Sequence, residues 1–395
     1  MQKRKNFSLF PAYCDKLIIF MTIGLVIFGS FMVISAEMGH AAGDTSIITS
    51  TALKQGLYSL IGMAGMFVLM RFRLVNLRLH FMWVLYYGVL VLLLATRLFS
   101  PVNGAYAWLW LGPFSVQPSE FAKVFIMVFG AKLLGHESPK NNIRNLKTFG
   151  LCAAVYVFVI IFIQKDFGSA FVLAGIAYIM ALVPPYKEYT NIHLVMLLLV
   201  VAGLAGAAVL LSPIGTKILS KMSGNYMVGR FLASADPFAY QYDTGYHLIM
   251  GLVSFATGGW FGLGYGQSIH KYMNFPNPST DFILPVIVEE LGVIFGLLPI
   301  LCAYGVIFYC LIKHSKASNY TAGKMILAGT FAYLAIHFVL NVGGVSGLIP
   351  LTGVPLLLIS SGGSSLIATM AAIGISQEEI IKYRQERAEN EDSSR

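Results

Sequence analysis

The sequence predicts an all-α, polytopic membrane protein with about ten transmembrane helices. Of its 395 residues, 57% are hydrophobic and only 11% are charged, and the mean hydropathy is +0.72. Soluble domains carry about a quarter charged residues, so this composition lies outside their range. Apolar runs of about 17 to 25 residues recur along the chain, and each is long enough to cross about 30 Å of hydrocarbon as a helix.

Ten such runs predict the membrane spans. They cover residues 16–36, 53–70, 80–97, 119–136, 149–165, 168–185, 192–212, 282–312, 323–343 and 354–376. We therefore expect a membrane domain at 16–376, between an N-terminal tail at 1–15 and a C-terminal tail at 377–395. The connection at 213–281, between the seventh and eighth spans, is the longest, and we expect it to be ordered and functional.

The basic residues predict the orientation of the chain in the membrane. If the N-terminus is cytoplasmic, most of the 27 lysines and arginines fall in the connections on the inside, as the positive-inside rule requires. Both termini are then cytoplasmic, and the loop 213–281 lies outside. The net charge of +9 follows from this bias and from attraction to anionic membrane lipids, so it implies no nucleic acid partner.

The segment between the third and fourth spans contains Trp108 and ends in the sequence QPSEFAK, at 117–123. Glu120 is favoured by the dipole at a helix start. Glu120 and Lys123 are three residues apart, so they can form a simple ion pair on one helix face. The alternative is that both charges point into an external cavity, where they hold a polar ligand or position another acid.

The stretch NFPNPSTDFILPVIVEELG places three acids at the mouth of an apolar run or inside it. An ionised carboxylate in hydrocarbon costs about 2.5 kcal/mol or more, so such acids usually face a polar cavity and have a function. Asp281 lies at the mouth, where a helix N-cap is the structural alternative. Glu289 and Glu290 lie about 12 to 14 Å deeper. We expect at least one of these two to pair with a neighbouring span, with a place in a substrate groove as the alternative.

The long loop contains two distinct parts. The sequence KILSKMSGNYMVGRFLASADPFAY, which includes Arg230, predicts an amphipathic helix at the membrane interface. The following sequence, TGYHLIMGLVSFATGGWFGLGYGQS, is apolar but interrupted by glycine, which fits a re-entrant or surface-lying element buried against protein. No nucleotide-binding fingerprint is present, and the four cysteines lack metal-site spacing.

Several motifs, in their order along the chain, resemble the SEDS family of bacterial cell-wall polymerases, the FtsW, RodA and SpoVE group. The motifs are NGAYAW, QPSEFAK, DFGS, GGWFGLGYGQS, TDFILPVIVEELG, GLIPLTGVP and ISSGGSSL. The resemblance covers nearly the whole chain. This sequence departs from the family at three positions, with Ala107 where members commonly have Arg, Lys165 where they have Pro, and Ser361 where they have Tyr.

The resemblance implies a peptidoglycan glycosyltransferase of the cytoplasmic membrane. Such an enzyme polymerises lipid II, an undecaprenyl-pyrophosphate-linked disaccharide pentapeptide, into glycan strands on the outer face, with a class B penicillin-binding protein as partner. The family's essential aspartate falls on Asp281, its fourth-span Glu and Lys on Glu120 and Lys123, and its loop tryptophan on Trp108.

In that reaction, Asp281 is expected to act as the general base for the acceptor hydroxyl. Glu120 and Lys123 would position it, and Arg230 or Lys271 would hold the pyrophosphate. The charge of Asp281 could also recruit a divalent cation, Mg²⁺ or Mn²⁺, which the sequence does not identify.

The motifs PVNGAYAW and NVGGVSGLIPLTGV favour the division branch of the family. This branch implies septal cell-wall synthesis beside other divisome proteins. The RodA-like elongation branch, which acts in cell shape, stays open. A lipid II flippase that couples through Glu289 and Glu290, and a scaffold for division partners, are the alternatives from other functional classes.

Overall fold

The structure is a computed structural model that describes residues 10–41, 44–102, 104–112, 114–135, 142–220, 226–242, 245–273, 275 and 277–393. Over these residues the chain is almost entirely helical. The helices are α1 Lys16–Ala41, α2 Thr45–Leu69, α3 Leu79–Ala95, α4 Pro118–Leu134, α5 Asn142–Phe158, α6 Phe167–Leu182, α7 Thr190–Leu211, α8 Pro213–Ser220, α9 Tyr226–Ala235, α10 Tyr246–Gly258, α11 Ile283–Gly292, α12 Leu298–Ala317, α13 Thr321–Val345 and α14 Gly363–Ser393. An antiparallel hairpin of β1 Leu109–Leu111 and β2 Phe114–Val116 joins α3 to α4.

Each of the ten predicted spans is helical over most of its length, although the eighth is divided between α11 and α12 and the tenth begins late. This confirms the polytopic all-α fold. Within the described residues, seven helical segments are long and apolar enough to cross a membrane. Helices α4 and α6 are shorter, with 17 and 16 residues, and they pack against each other and against α13. Almost every turn of α4 is buried. These central helices therefore contact protein where the outer helices face lipid.

Polar residues and proline mark several helix starts, as local chemistry requires. Asp44 caps α2 by accepting a hydrogen bond from Ser46 N at 2.8 Å, and Asp166 caps α6 by accepting one from Ser169 N at 3.0 Å. Pro118 occupies the first turn of α4, where its missing N–H costs nothing. The DFGS motif is thus a helix start.

The tenth span begins later than the sequence predicts. The apolar run starts at 354, but α14 starts at Gly363. Gly353 and Leu358 have φ values of +71° and +66°, and left-handed residues interrupt a helix. At its other end α14 continues to Ser393, so most of the predicted C-terminal tail is a helical extension of the last span.

That helical extension packs against the residues before α1. Asp15 Oδ2 lies 2.6 Å from His314 Nε2 at the end of α12, and Arg384 donates to the same carboxylate oxygen at 3.3 Å. The amide of Gln377 accepts from Asp15 N at 2.8 Å and donates to Asp15 O at 3.0 Å. The pKa of Asp15 is lowered to about 2, and the hydrogen bond with His314 is the largest cause.

The eighth span is broken at Gly292, and the segment that follows α10 fills the break. Gly292 has a φ of +71°, so the helical hydrogen bonding is interrupted there. Val293 N donates to Gly259 O at 3.0 Å, and Ile294 N donates to Trp260 O at 3.1 Å. Backbone groups inside a membrane need protein partners. The prediction of a re-entrant or surface-lying element buried against protein fits this packing.

The amphipathic part of the long loop forms two short helices, α8 and α9, where the sequence predicts one. Residues 221–225, between them, lie outside the described residues. Arg230 is carried by α9, and its guanidinium Nη1 donates to Leu351 O at 2.9 Å. The loop therefore folds back onto the segment that precedes α14.

Candidate active site

Asp281 lies in the turn before α11, and its side chain is half-buried. Its Oδ1 accepts a hydrogen bond from Thr280 Oγ1 at 2.8 Å. Burial raises the pKa of Asp281 above its ordinary value, although Thr280 and the nearby Arg230 and His247 oppose the rise. The N-cap position of α11 is Phe282, so Asp281 is not the helix cap that its residue type allowed. A carboxylate with a raised pKa suits a general base.

Arg230 and Asp281 flank Gly353, in the GLIPLTGVP motif. A Cβ atom built on Gly353 would lie 3.8 Å from Asp281 Oδ2 and 3.7 Å from Arg230 Nη1. The φ of Gly353 is +71°, which side-chain-bearing residues rarely adopt. The carboxylate and the guanidinium therefore both lie within 4 Å of one point beside this glycine, so the structure brings two of the predicted site residues together.

Three other segments hold the turn that carries Asp281. Asn341, on α13, donates from Nδ2 to Asp281 O at 2.8 Å and to Val354 O at 2.9 Å. Ser361 N donates to Ser279 O at 2.7 Å. The Ser279 hydroxyl in turn donates to the Glu37 carboxylate, at the end of α1. The acid thus stands on a turn that is fixed from several sides.

Glu120 and Lys123 form the ion pair on one helix face that their spacing allows, and both residues are buried, so their contacts do not agree with the alternative of an external cavity. Their carboxylate and ammonium groups are 2.7 Å apart, and the residues are 1% and 0% exposed. Tyr333 donates its hydroxyl to Glu120 Oε2 at 2.8 Å, and Lys123 Nζ lies 3.2 Å from His337 Nε2. Buried charges need such partners, and α13 supplies them. The pair therefore contacts the same helix, α13, that binds the Asp281 turn through Asn341.

Lys271 is also buried, and the expectation that it holds a pyrophosphate does not agree with its contacts. Its ammonium donates to Glu290 Oε1 at 2.7 Å and to Ser35 Oγ at 3.0 Å. A buried carboxylate requires a cation or several donors, and Lys271 meets this need for Glu290. Glu290 also accepts a hydrogen bond from Ser35 on α1, which confirms the prediction that one of the two glutamates pairs with a neighbouring span.

Glu289 is bound in the same way by the segment before α11. Its Oε1 lies 2.6 Å from His270 Nδ1, and Ser268 Oγ donates to Oε2 at 2.5 Å. Both membrane-embedded glutamates thus anchor residues 266–271 to α11. Both carboxylates are bound by donors within the protein, and these contacts do not favour a role in coupling lipid transport.

Trp108 lies half-buried just before β1. The hairpin that it precedes is attached to the rest of the fold through Gln117, which donates from Nε2 to Asp166 Oδ2 at 2.9 Å. Ala107 is buried, and Lys165 has a φ of +59°, a conformation closed to the proline that the family resemblance implies there. A substrate contact by Trp108 stays a prediction.

Three residues near Asp281 or its supports are not among the site residues that the sequence predicts. They are His337, Asn341 and Gly353. His337 and Asn341 are polar residues four positions apart inside an apolar run. This spacing could have indicated a polar contact inside the protein, because buried polar groups need partners. The motif glycine gave no such signal, since its role depends on which side chains face it.

The described residues do not provide a resident metal site of protein ligands. No group of three or more His, Cys, Asp or Glu among them is placed to hold an ion. The Arg230 guanidinium lies beside the same glycine as Asp281, and it repels a cation. The described residues around Asp281 therefore do not fit a divalent ion held by protein ligands alone.

Comparisons with known proteins give the family. The sequence model of the FtsW, RodA and SpoVE family, described as cell cycle protein, matches residues 15–385. Stage V sporulation protein E of Bacillus subtilis is 32% identical over 365 residues, which cover 91% of this chain and 95% of that protein. A probable peptidoglycan glycosyltransferase FtsW of the same organism is 33% identical over 369 residues, which cover 91% of this chain and 89% of that protein.

Two solved structures share the fold. A chain of a peptidoglycan synthase complex that coordinates polymerization and crosslinking matches with a TM-score of 0.71 and 26% identity, over 95% of this chain and 99% of that chain. The rod shape determining protein RodA of Thermus thermophilus matches with a TM-score of 0.62 and 23% identity, over 94% of this chain and 97% of that chain. With the ordered motifs, the ten spans and these matches in agreement, the chain belongs to the FtsW, RodA and SpoVE family of polytopic membrane proteins.

Proposed function

We propose that the protein is a peptidoglycan glycosyltransferase that polymerises lipid II into glycan strands on the outer face of the cytoplasmic membrane. The observation that carries the proposal is Asp281, a half-buried acid with a raised pKa, which lies with the Arg230 guanidinium beside Gly353. The names of relatives at about 30% identity support the same reaction class.

The reaction needs a base for the acceptor hydroxyl and a cation for the leaving group. The hydroxyl proton passes to the Asp281 carboxylate, and the hydroxyl oxygen bonds to the anomeric carbon of the donor sugar. The bond between that carbon and the pyrophosphate oxygen breaks in the same step. Undecaprenyl pyrophosphate leaves as an anion, and the Arg230 guanidinium, with its fork of donors, stabilises the new charge.

The location and partners follow from the same proposal. Both termini are placed in the cytoplasm and Asp281 outside, by the positive-inside rule. A class B penicillin-binding protein, other divisome proteins and the division septum are proposed from the division-branch motifs. The solved complex that coordinates polymerization and crosslinking supports a crosslinking partner. Mg²⁺ or Mn²⁺ remains a proposal in which the ion arrives with the substrate phosphates, as such ions commonly do.

The test is polymerisation of lipid II by the purified protein with its penicillin-binding partner. We expect Asp281→Asn to lower the rate by about 100-fold or more, the range for loss of a general base. Asp44→Asn is the matched control, because Asp44 is exposed and asparagine also caps a helix. Normal polymerisation by Asp281→Asn contradicts the proposal. If the wild-type protein moves lipid II across vesicles without polymerising it, the flippase replaces the proposal.

A further inference from the structure

Helix α13 presents three buried polar side chains on one face. Tyr333, His337 and Asn341 are spaced by four residues, so they lie one above the other along the helix. They are 0%, 1% and 3% exposed. We call this row the α13 ladder. Since the residues are shielded from solvent, their polar atoms must be explained by partners inside the protein.

The lower part of the ladder contacts the buried ion pair of α4. The Tyr333 hydroxyl donates to Glu120 Oε2 at 2.8 Å, and His337 Nε2 lies 3.2 Å from Lys123 Nζ. An ammonium group only donates, so Nε2 must be the acceptor and the proton of a neutral ring is on Nδ1. The Nδ1 atom that carries this proton lies 3.2 Å from Pro355 O and donates a hydrogen bond to it. Lys123 is thereby linked through one imidazole to the main chain before α14.

The upper part of the ladder contacts the main chain around Asp281. Asn341 donates to Asp281 O at 2.8 Å and to Val354 O at 2.9 Å. Val354 and Pro355 directly follow Gly353, which lies beside both the Asp281 carboxylate and the Arg230 guanidinium. A shift of Asn341 therefore moves the Asp281 turn and the segment after Gly353, and a shift of His337 moves that segment.

The amide at position 341 acts through its Nδ2 group. Its Oδ1 atom is buried without a hydrogen-bond partner among the described residues. An unpartnered buried acceptor destabilises a fold, and the two hydrogen bonds that Nδ2 donates to main-chain carbonyls offset this loss. A leucine at this position would leave both carbonyls without this donor, so the amide ties together the two segments to which they belong.

We propose that Asn341 and His337 are positioning residues of the glycosyltransferase reaction. They hold the Asp281 turn and the Gly353 segment in register, and they connect this site to the buried Glu120–Lys123 pair. The proposal rests on the function proposed above, because positioning matters only if Asp281 is the base. It gives the buried pair a route of action on a site that it does not contact directly.

The test compares Asn341→Leu, which removes the donor, with Asn341→Gln, which retains an amide. The matched control is Thr330→Val, since Thr330 is a buried hydroxyl of α13 whose partners lie on α14 and at Met127 of α4, away from the Asp281 turn. For Asn341→Leu we expect kcat to fall about 10- to 100-fold, as small misplacements of a reacting group do. The KM for lipid II should stay within about twofold, and Asn341→Gln should recover part of the loss.

A second measurement does not depend on polymerisation. Carbodiimide labelling of Asp281 at a series of pH values, read by peptide mass spectrometry, reports its protonation in the folded protein. We expect Asn341→Leu to shift the labelling midpoint and Thr330→Val to leave it unchanged. If the wild-type protein does not polymerise lipid II, the proposed function fails and the catalytic part of this proposal fails with it. A shifted midpoint in Asn341→Leu would then show only that Asn341 sets the surroundings of Asp281, so the two failures are distinguishable.

Two results overturn the proposal. One is a wild-type kcat with an unshifted labelling midpoint in Asn341→Leu. The other is an equal loss of kcat in Thr330→Val, because the effect would then belong to any buried polar group of α13 and Asn341 would serve packing alone.

Discussion

Replacing Lys271 with methionine separates a structural role of this lysine from a role in binding pyrophosphate. The substitution keeps a long unbranched side chain but leaves Glu290 without its cation. Losing one partner of a buried ion pair costs about 3 to 5 kcal/mol. Ser35 Oγ at 2.7 Å and Gly266 N at 3.0 Å still donate to Glu290. We therefore expect the lower end, about 3 kcal/mol, which is roughly a hundredfold in the unfolding equilibrium.

The assay is equilibrium unfolding of the purified protein in detergent micelles, followed by the polymerisation rate per folded molecule. Adding Glu290→Gln to Lys271→Met removes the unpaired charge, so most of the lost stability should return. The rate per folded molecule should change little in either variant. An unchanged free energy of unfolding together with a reduced kcat/KM for lipid II would refute this reasoning and assign Lys271 to the substrate.

Two further predictions concern protonation. Asp281 must be ionised to accept a proton, and burial raises its pKa. The polymerisation rate should therefore fall on acidification at a pH above the ordinary aspartate pKa, which is about 3.9. Arg230→Gln removes a cation that lowers this pKa, so in a pH–rate profile the loss of activity should move to higher pH. The pKa of Asp15 is lowered to about 2, chiefly by His314. The stabilising contribution of the Asp15 carboxylate is therefore complete above about pH 4 and is lost as the pH falls through 2. Asp15→Asn should reduce the free energy of unfolding at pH 7 by about 2 kcal/mol, and an unchanged value would contradict the reasoning.

The positions of the spans could be predicted because hydropathy is a local property of the chain. The later start of α14 could not, since the left-handed residues Gly353 and Leu358 lie inside a run that hydropathy alone joins to the helix. The break at Gly292 is a similar case. Its partners, Gly259 and Trp260, are more than thirty positions earlier in the sequence, and only the folded chain brings them together.

In the candidate site, too, some features follow from the sequence and others depend on the folded chain. Asp281 was identified by its residue type at the mouth of a span, together with the family resemblance. The burial of Lys271 and of the Glu120–Lys123 pair depends on which helices surround them, and residue spacing carries no such information. Asn341 was missed for the same reason, because both carbonyls that it holds belong to other segments.

The broken eighth span has a consequence for how the protein is made. Its backbone is completed by Gly259 and Trp260, which hydrogen-bond to Val293 N and Ile294 N. The ribosome synthesises these two acceptors before the two donors, so the segment that follows α10 is available when the eighth span emerges. We expect this span to enter the bilayer in two halves, with the second stabilised only after the loop has folded back. The order of synthesis and the order of assembly then coincide at this point in the chain.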